Sequence, residues 1–323
     1  MLGCNHHYYL LVSILLTGGA GYIGSHINQL LSLNGIKTIV LDDESTGSKE
    51  KIKDMSFFVH GDIRDSELVR KTLIEHKITG VIHLAAKKSV SESIKYPNEY
   101  MSVNVDGTSS VINACLGTEV SQFIFSSSAA IYGNSKFAKV SEDVIPRPLS
   151  VYGDSKLQGE RLVSKRLINT PIKFTNLRYF NVVGSGNRTL QDNSKENLFP
   201  IIKEALASGR QPVIFGSNHQ TPDGTCIRDY IHVQDLAEIH LLALKKLTTH
   251  QFPKELNVGS GLGFSVLEVI TEFLKQTKSN LVSTVSEPRI GDPAKLIANI
   301  DRLKKALDFT PSITLSEMVA STL

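Results

Sequence analysis

Short apolar runs alternate with amphipathic stretches through the first half of the chain. The runs at Ser13–Leu16, Lys37–Leu41, Ser56–Val59, Gly80–Leu84, Gln122–Ser126 and Lys173–Arg178 are mostly continuous in apolar character, and several are β-branched. That pattern predicts strands covered on both faces. Between them, Tyr22–Leu33, Ser66–His76, Asn98–Leu116 and Tyr152–Ile168 carry helical spacing. Strand–helix alternation implies right-handed crossovers and a parallel, doubly wound sheet. Beyond about Asn181 the regularity weakens. Gly184-Ser185-Gly186-Asn187 and Gln191–Glu196 read as loops, followed by short mixed elements that include helices over Gln234–Leu247 and Ser265–Gln276.

The expected class is α/β. A doubly wound parallel sheet occupies 13–180. A smaller, mixed α/β substrate-binding region occupies 181–323, with room for chain crossovers between the two. Composition agrees: 323 residues, 41% apolar and 21% charged, suffice for a large core. The net charge of +3 carries no block of one sign, so neither nucleic acid nor a membrane is implied as partner. Cys4, Cys115 and Cys226 show no paired spacing and read as free thiols in a reducing, cytoplasmic compartment. Leu10–Leu16 is apolar, but no Lys or Arg precedes it and it runs straight into a glycine turn. It therefore reads as the first strand and not as a signal-peptide core. His6-His7 lacks ligand spacing, and no metal site is expected.

Gly18, Gly21 and Gly24 form G-x-x-G-x-x-G between a strand and a helix. Such a turn lets backbone approach a pyrophosphate and aims a helix N-terminus at it, which makes the sheet Rossmann-type. Asp42 ends the second strand 18 residues after Gly24, where a carboxylate bonds a ribose diol and repels a 2′-phosphate. That favours NAD over NADP. Asp43 follows. Asp62-Ile63, at the end of the third strand, reads equally as an adenine contact or as a helix cap.

Tyr-x-x-x-Lys occurs twice, at Tyr132/Lys136 and Tyr152/Lys156. Residues four apart on a helix share a face, so an ammonium can sit beside a phenol. Tyr132 leads into loop composition. Tyr152 opens an amphipathic stretch with Pro146 and Pro148 safely upstream. Tyr152 and Lys156 are the expected pair. Serving as a base near neutral pH requires removing about three units, roughly 4 kcal/mol, from the phenol. Two unit charges ~4 Å apart interact by about 4 kcal/mol at an effective dielectric of ~20. Lys156 and an oxidised nicotinamide could supply this together. Ser128, at the C-terminal end of its strand, is placed to share a proton with the phenol.

The segments TGGAGYIGSH at 17–26, HGDIRD at 60–65, VIHLAAKKSVSES at 81–93, NVDGT at 104–108, FIFSSSAAIYG at 123–133, YGDSK at 152–156, LRYFNVVG at 177–184, ENLFP at 196–200 and DGTCIRDYIHVQDLA at 223–237 carry a resemblance. The chain resembles the extended short-chain dehydrogenase/reductases, the NAD-dependent epimerase/dehydratase family, and within it the UDP-hexose 4-epimerases. The resemblance implies Ser128, Tyr152 and Lys156 as catalytic set. Around NAD it implies Tyr22, Ile23, Asp42, Asp43, Asp62, Ile63, Leu84, Ala85, Lys88, Asn104, Ser126 and Tyr179. Around a UDP-sugar it implies Lys88, Phe180, Asn181, Asn197, Leu198, Phe215, Arg228, Arg289 and Asp292. The implied reaction oxidises the sugar at C4 and returns the hydride to the other face, with NAD regenerated each cycle. A homodimer through the helices at about 98–116 and 152–168 is implied as well.

Departures from the family pattern are Asp43 in place of Asn, Val151 in place of Pro, and Cys226 at a commonly small position. Leu296 falls at the position that gates N-acetylated sugars, and its intermediate bulk leaves UDP-GlcNAc and UDP-GalNAc use open. The rival 4,6-dehydratases need an acid after the serine, where this chain has Ala129-Ala130. UDP-glucuronate decarboxylases and epimerases of other specificity remain as alternatives. A non-catalytic NAD sensor would have no need of Ser128, Tyr152 and Lys156 together.

Overall fold

The computed structural model describes residues 12–52, 57–135, 137, 139–248, 251–289 and 293–323. Cys4, His6-His7, Leu10, Leu11, Ser56, Lys136 and Asp292 lie outside the described residues. The chain forms two compact units. The first comprises the chain up to Ser128, with Ser150–Arg178 and Ala237–Leu256. The second comprises Ala129–Leu149, Tyr179–Leu236 and Asn257–Leu323.

The large sheet contains β1 (Ser13–Thr17), β2 (Lys37–Asp42), β3 (Phe57–His60), β4 (Gly80–His83), β5 (Gln122–Ser128), β6 (Lys173–Tyr179) and β11 (Glu255–Val258). The strands are parallel in the order β11-β6-β5-β4-β1-β2-β3. Strand order reverses between β1 and β4, the switch point at which such sheets bind ligands. The β1–β2 register runs from Ser13 opposite Lys37 to Thr17 opposite Leu41, and β1–β4 ends with Thr17 opposite His83. Leu15, Ile39, Leu41, Val81, Phe123, Phe125, Val163 and Leu167 form one buried cluster between the sheet and its helices. The continuous apolar runs of β1, β2, β4, β5 and β6 reflect this two-sided burial, whereas β3, at the sheet edge, is exposed or half-buried throughout and not covered on both faces.

The associated helices are α1 (Tyr22–Leu33), α2 (Ser66–Glu75), α3 (Val90–Lys95), α4 (Pro97–Met101), α5 (Gly107–Cys115) and α6 (Val151–Leu167). Asn98–Leu116 is not one uninterrupted helix as its periodicity suggests. A π-helical segment at Ser102–Asp106 joins α4 to α5, the kind of bulge that marks functional sites. Asp62 lies beyond β3 and does not cap α2. Asp65 does, accepting the N–H groups of Glu67 and Leu68. Ser150 caps α6 by accepting from the Gly153 N–H. Behind α6, Arg178 of β6 grips Glu160 with Nε to Oε1 at 2.9 Å and Nη2 to Oε2 at 2.8 Å, both side chains 6% exposed.

The second unit contains α7 (Leu198–Ala207), α8 (Val233–Lys246, which continues into the first unit), α9 (Val266–Thr277), α10 (Asp301–Leu307) and α11 (Leu315–Thr322). Its sheets are small. β7 (Asn181–Val183) pairs with β10 (Tyr230–His232), and β8 (Val213–Phe215) pairs with β13 (Thr284–Ser286). β9 (Ile227–Arg228) lies between β12 (Phe264–Ser265) and β14 (Lys295–Leu296). Capping boxes start α9 at Ser265/Glu268 and α11 at Thr314/Glu317. Phe199, Ile202, Tyr230, Ile270, Phe273 and Val319 centre its own core.

A buried pair broken on one side leaves an uncompensated charge, whereas replacing both partners with apolar groups often does not destabilise. Arg178→Met alone is therefore expected to cost about 3–5 kcal/mol in urea unfolding, and adding Glu160→Leu should recover most of it. Additive losses in the double variant would show that the pair is not the source.

Candidate active site

Gly18 leaves β1 at φ +69°, and a Cβ there would lie 2.6 Å from the Ala85 backbone nitrogen. A side chain is thus barred by both conformation and contact. At Gly24, inside α1, a Cβ would lie 2.4 Å from the Gly18 carbonyl oxygen, so the helix packs directly on the turn. Gly21 is the N-cap of α1. No side chain caps that end, and no acidic residue stands in its first turn. An uncapped N-terminus of this kind accommodates phosphate charge.

Asp42 closes β2 and is 7% exposed. Its Oδ2 accepts from the Ala20 N–H at 2.9 Å, bracing the glycine turn, and Oδ1 accepts from the Glu44 N–H at 2.8 Å. Burial holds this carboxyl above its ordinary value, with the Asp43 and Glu44 charges adding, while the two N–H groups pull it down. Each oxygen keeps a lone pair for a diol, so turn, helix end and carboxylate fit a dinucleotide without a 2′-phosphate. Asp43 turns away into a local Asx turn, accepting from the Ser45 N–H and hydroxyl at 2.9 and 2.6 Å. Asp62 takes a forked contact from Arg64, which holds it below the usual carboxylate range. Ile63 is buried in the core cluster, so only its backbone can face a ligand. The Tyr22 ring stands edge-on to His26, Leu84 and Ala85 are half-buried just past β4, and Lys88 is exposed.

The expected catalytic residues come together within the first unit. Ser128 ends β5, and its hydrogen bond with Tyr152 opposes the rise that burial imposes on the phenol. Lys156, one turn along α6, is 5% exposed. Its Nζ donates to the Ser126 carbonyl at 2.9 Å, lies 3.5 Å from the Ser126 hydroxyl and sits over the Phe125 ring at 5.3 Å. Burial pushes Lys156 down to about 7. The pull expected from Lys156 on the phenol does not offset the upward push on Tyr152, because the same dry surroundings oppose both charged forms. Asn104, in the π-helical segment, is engaged by protein. Its Nδ2 donates to the Lys87 carbonyl and the Ser155 hydroxyl at 2.9 Å each, and its Oδ1 accepts from the Lys87 N–H at 2.8 Å. It shapes the segment after β4 that contains Lys88.

Tyr132 belongs to a buried 3-10 turn in the second unit, and its hydroxyl donates to Asn257 Oδ1 at 2.7 Å. That structural bond separates it from the Tyr152 pair. Tyr179 and Phe180 are buried in the second unit, where the Phe180 N–H donates to the Val258 carbonyl. Asn181 donates through Nδ2 to the Asp229 carbonyl at 3.1 Å. Arg228 stands on β9 opposite Leu296 of β14 and Phe264 of β12. Arg289 stacks over the Phe215 ring at 4.4 Å, both exposed. Asn197 is the N-cap of α7, and its Nδ2 donates to Asp192 Oδ2 at 2.6 Å, with half-buried Leu198 following.

The sequence reading passed over Asp229, His83 and the Glu160–Arg178 pair. Asp229 is fully buried and accepts from the Ser260 N–H and hydroxyl, the Gly261 N–H and the Ala298 N–H. Burial nonetheless raises it to about 6. A carboxylate beside an arginine in an otherwise apolar segment was the only signal for it.

Lys156 lies below the free-lysine value of 10.5, so the unfolded chain binds the extra proton between about 7 and 10.5. This residue therefore makes folding stability rise with pH across that window, and below it the folded chain carries the buried ammonium at its full cost. Lys156→Met is expected to flatten that slope and to be at least as stable as the parent at pH 7 in chemical denaturation. An unchanged slope would mean the buried ammonium is not its source.

A model of the NAD dependent epimerase/dehydratase family matches residues 14–259. The UDP-glucose 4-epimerase of Halalkalibacterium halodurans is 40% identical over 304 residues, covering 93% of this chain and 91% of that protein. The structure of UDP-glucose 4-epimerase from Stenotrophomonas maltophila with bound NAD and formylated UDP-arabinopyranose superposes with a TM-score of 0.91 at 34% identity, covering 96% of each chain. The UDP-Glc/GlcNAc 4-epimerase of Campylobacter jejuni gives 0.84 at 35% identity, covering 96% of this chain and 98% of that one. The chain belongs to the NAD dependent epimerase/dehydratase family.

Proposed function

We propose that this chain interconverts UDP-glucose and UDP-galactose by epimerisation at C4 of the sugar. The carrying observation is Ser128, Tyr152 and Lys156 gathered at the end of β5 and the start of α6, in the same unit as the glycine turn. The names of its relatives support the substrate. The glycine turn, the α1 N-terminus and Asp42 hold NAD. When bound, the nicotinamide supplies a hydride acceptor and donor at C4 and a positive charge beside the phenol.

Tyr152 takes the sugar 4-hydroxyl proton in one direction and returns it in the other. Ser128, already bonded to the phenol, passes the proton and orients the sugar oxygen. Lys156 is anchored by the Ser126 carbonyl, which fixes the ammonium one helical turn from Tyr152. Arg228 and Arg289 neutralise the diphosphate, while Phe215, Phe180, Asn181, Asn197 and Leu198 hold the nucleoside and sugar. Lys88 and Asp292 complete the set by resemblance. Ala129 and Ala130, in the 3-10 turn after β5, offer no proton to a departing hydroxyl, which argues against dehydration.

Among the described residues no helix is long and apolar enough to cross a membrane. Cys115 and Cys226 are buried and form no disulfide, which suits a reducing cytoplasm. We place a homodimer interface on α4–α5 and α6, where Leu116 and Ile168 expose 37% and 53% of their surface.

Purified protein incubated with UDP-galactose should yield UDP-glucose, and Tyr152→Phe should lower the rate by about 10²–10⁴-fold. A 4-keto-6-deoxy product would support a dehydratase, and tight NAD binding with no turnover of any UDP-hexose, including UDP-GalNAc, would support a sensor. Light scattering at micromolar concentration should report twice 35.5 kDa. A monomer would refute the dimer.

A further inference from the structure

Five buried polar side chains connect the glycine turn to the backbone of Tyr152, all within the first unit. Thr17, His83, Thr108, Asn104 and Ser155 are each at most 2% exposed. Thr17 directly precedes Gly18, and its Oγ1 lies 2.7 Å from His83 Nδ1. His83 Nε2 lies 2.9 Å from Thr108 Oγ1. The Thr108 hydroxyl donates to the Asn104 carbonyl at 2.6 Å. Asn104 donates to Ser155 Oγ at 2.9 Å, and Ser155 donates to the Tyr152 carbonyl at 2.8 Å.

The donor count selects one tautomer. Thr108 spends its proton on Asn104, so its oxygen must accept from an Nε2–H. The neutral ring then presents a lone pair at Nδ1, which accepts the Thr17 hydroxyl proton. A charged ring would put a donor at Nδ1 as well, and the Thr17 hydroxyl would then accept there and lose the acceptor for its own proton. Phe123 and Phe125 flank the imidazole at 6.1 and 5.8 Å, and Lys156 is the charge that reaches it. Burial, with Lys156 adding, pushes His83 down to about 3. The ring is thus a neutral connector near physiological pH.

We propose that His83 is a positioning residue for the epimerase reaction, joining the β1 end of the cofactor turn to the π-helical segment and through Asn104 and Ser155 to the N-terminal turn of α6, so that Tyr152 is held in register with the bound nicotinamide. The inference rests on the functional reading above, in which Tyr152 carries the proton. Through Asn104 the same chain fixes Lys87 and hence the segment after β4, whose Leu84 and Ala85 N–H groups donate to the Thr17 carbonyl at 3.0 and 3.1 Å.

The test uses the holoenzyme and conversion of UDP-galactose to UDP-glucose. Thr108→Val keeps shape but removes the acceptor at Nε2, Thr108→Ser retains the hydroxyl, and His83→Leu removes both bonds. Thr108→Val and His83→Leu should lower kcat by about tenfold to a hundredfold, the scale of a small misplacement of reacting groups. KM for UDP-galactose and bound NAD per chain should stay near the parent, and Thr108→Ser should keep most of kcat. The inference fails if Thr108→Val retains parental kcat, if the loss merely follows lost NAD, or if Thr108→Ser is as impaired as Thr108→Val. Should His83→Leu not fold, the two Thr108 variants decide alone. Tyr152→Phe is assayed alongside: its loss of at least about a hundredfold beside a fully active Thr108→Val sinks only the role of His83, whereas parental turnover by Tyr152→Phe removes the functional reading and with it anything for His83 to position.

Discussion

The first unit is organised around keeping one ammonium dry. Lys156 is desolvated by α6 and β5, and its surviving strong contact is the Ser126 carbonyl at 2.9 Å. A buried cation with so little compensation costs stability, and much of the surrounding structure can be understood as what tolerates it. The Phe125 ring face lies beneath it. The Glu160–Arg178 pair, one turn further along α6, ties the same helix face to β6 and leaves Glu160 no reason to turn toward Lys156. The helix is thereby fixed by charges that cancel each other, and the ammonium that matters is not neutralised.

Order at the glycine turn, on the same C-terminal edge of the sheet, has a different source. The glycine turn is packed closely by backbone at Gly18, against Ala85, and at Gly24, against Gly18, and by the Leu16 and Val40 side chains at Gly19. Asp42 adds a polar brace, accepting from the Ala20 N–H. The turn is therefore fixed in shape while the N-terminus of α1 behind it has no side-chain cap. Rigidity obtained through close backbone approach is what lets a binding surface be both fixed and accessible.

Most of this was legible in the chain. Two-sided burial wrote the strands as apolar runs, and the boundaries of α1 and most strands follow the sequence reading within a residue. Tyr152 was separable from Tyr132 by helical context, and the Tyr132 hydroxyl bond to Asn257 gives the physical reason for the difference. What periodicity could not show were interruptions and partners. The π-helical segment at Ser102–Asp106 keeps the apolar spacing of a helix while redirecting Asn104 inward. Asp62 read equally as an adenine contact or a cap, although Asp65 stands directly before the predicted helix; what no pattern shows is that Arg64 folds back onto Asp62. His83 closes an apolar strand and carries no local sign that its partners sit at Thr17 and Thr108, one on a neighbouring strand and the other on a helix. The downstream half was read less well because its sheets are two or three short strands each, too brief for periodicity to register.

The order of strands also bears on how the molecule is made. β11 completes one edge of the large sheet beside β6, yet it is translated only after the whole stretch from Asn181 to Lys254. A growing chain on the ribosome therefore presents β6 as an unpaired sheet edge, with Tyr152 and the glycine turn already synthesised, until Glu255–Val258 emerges. An open edge of this kind is the surface on which strands from other chains pair. Biosynthesis of the protein thus carries a window of vulnerability whose length is set by the second unit's insertion between the sixth and seventh strands, and chaperone demand should concentrate there.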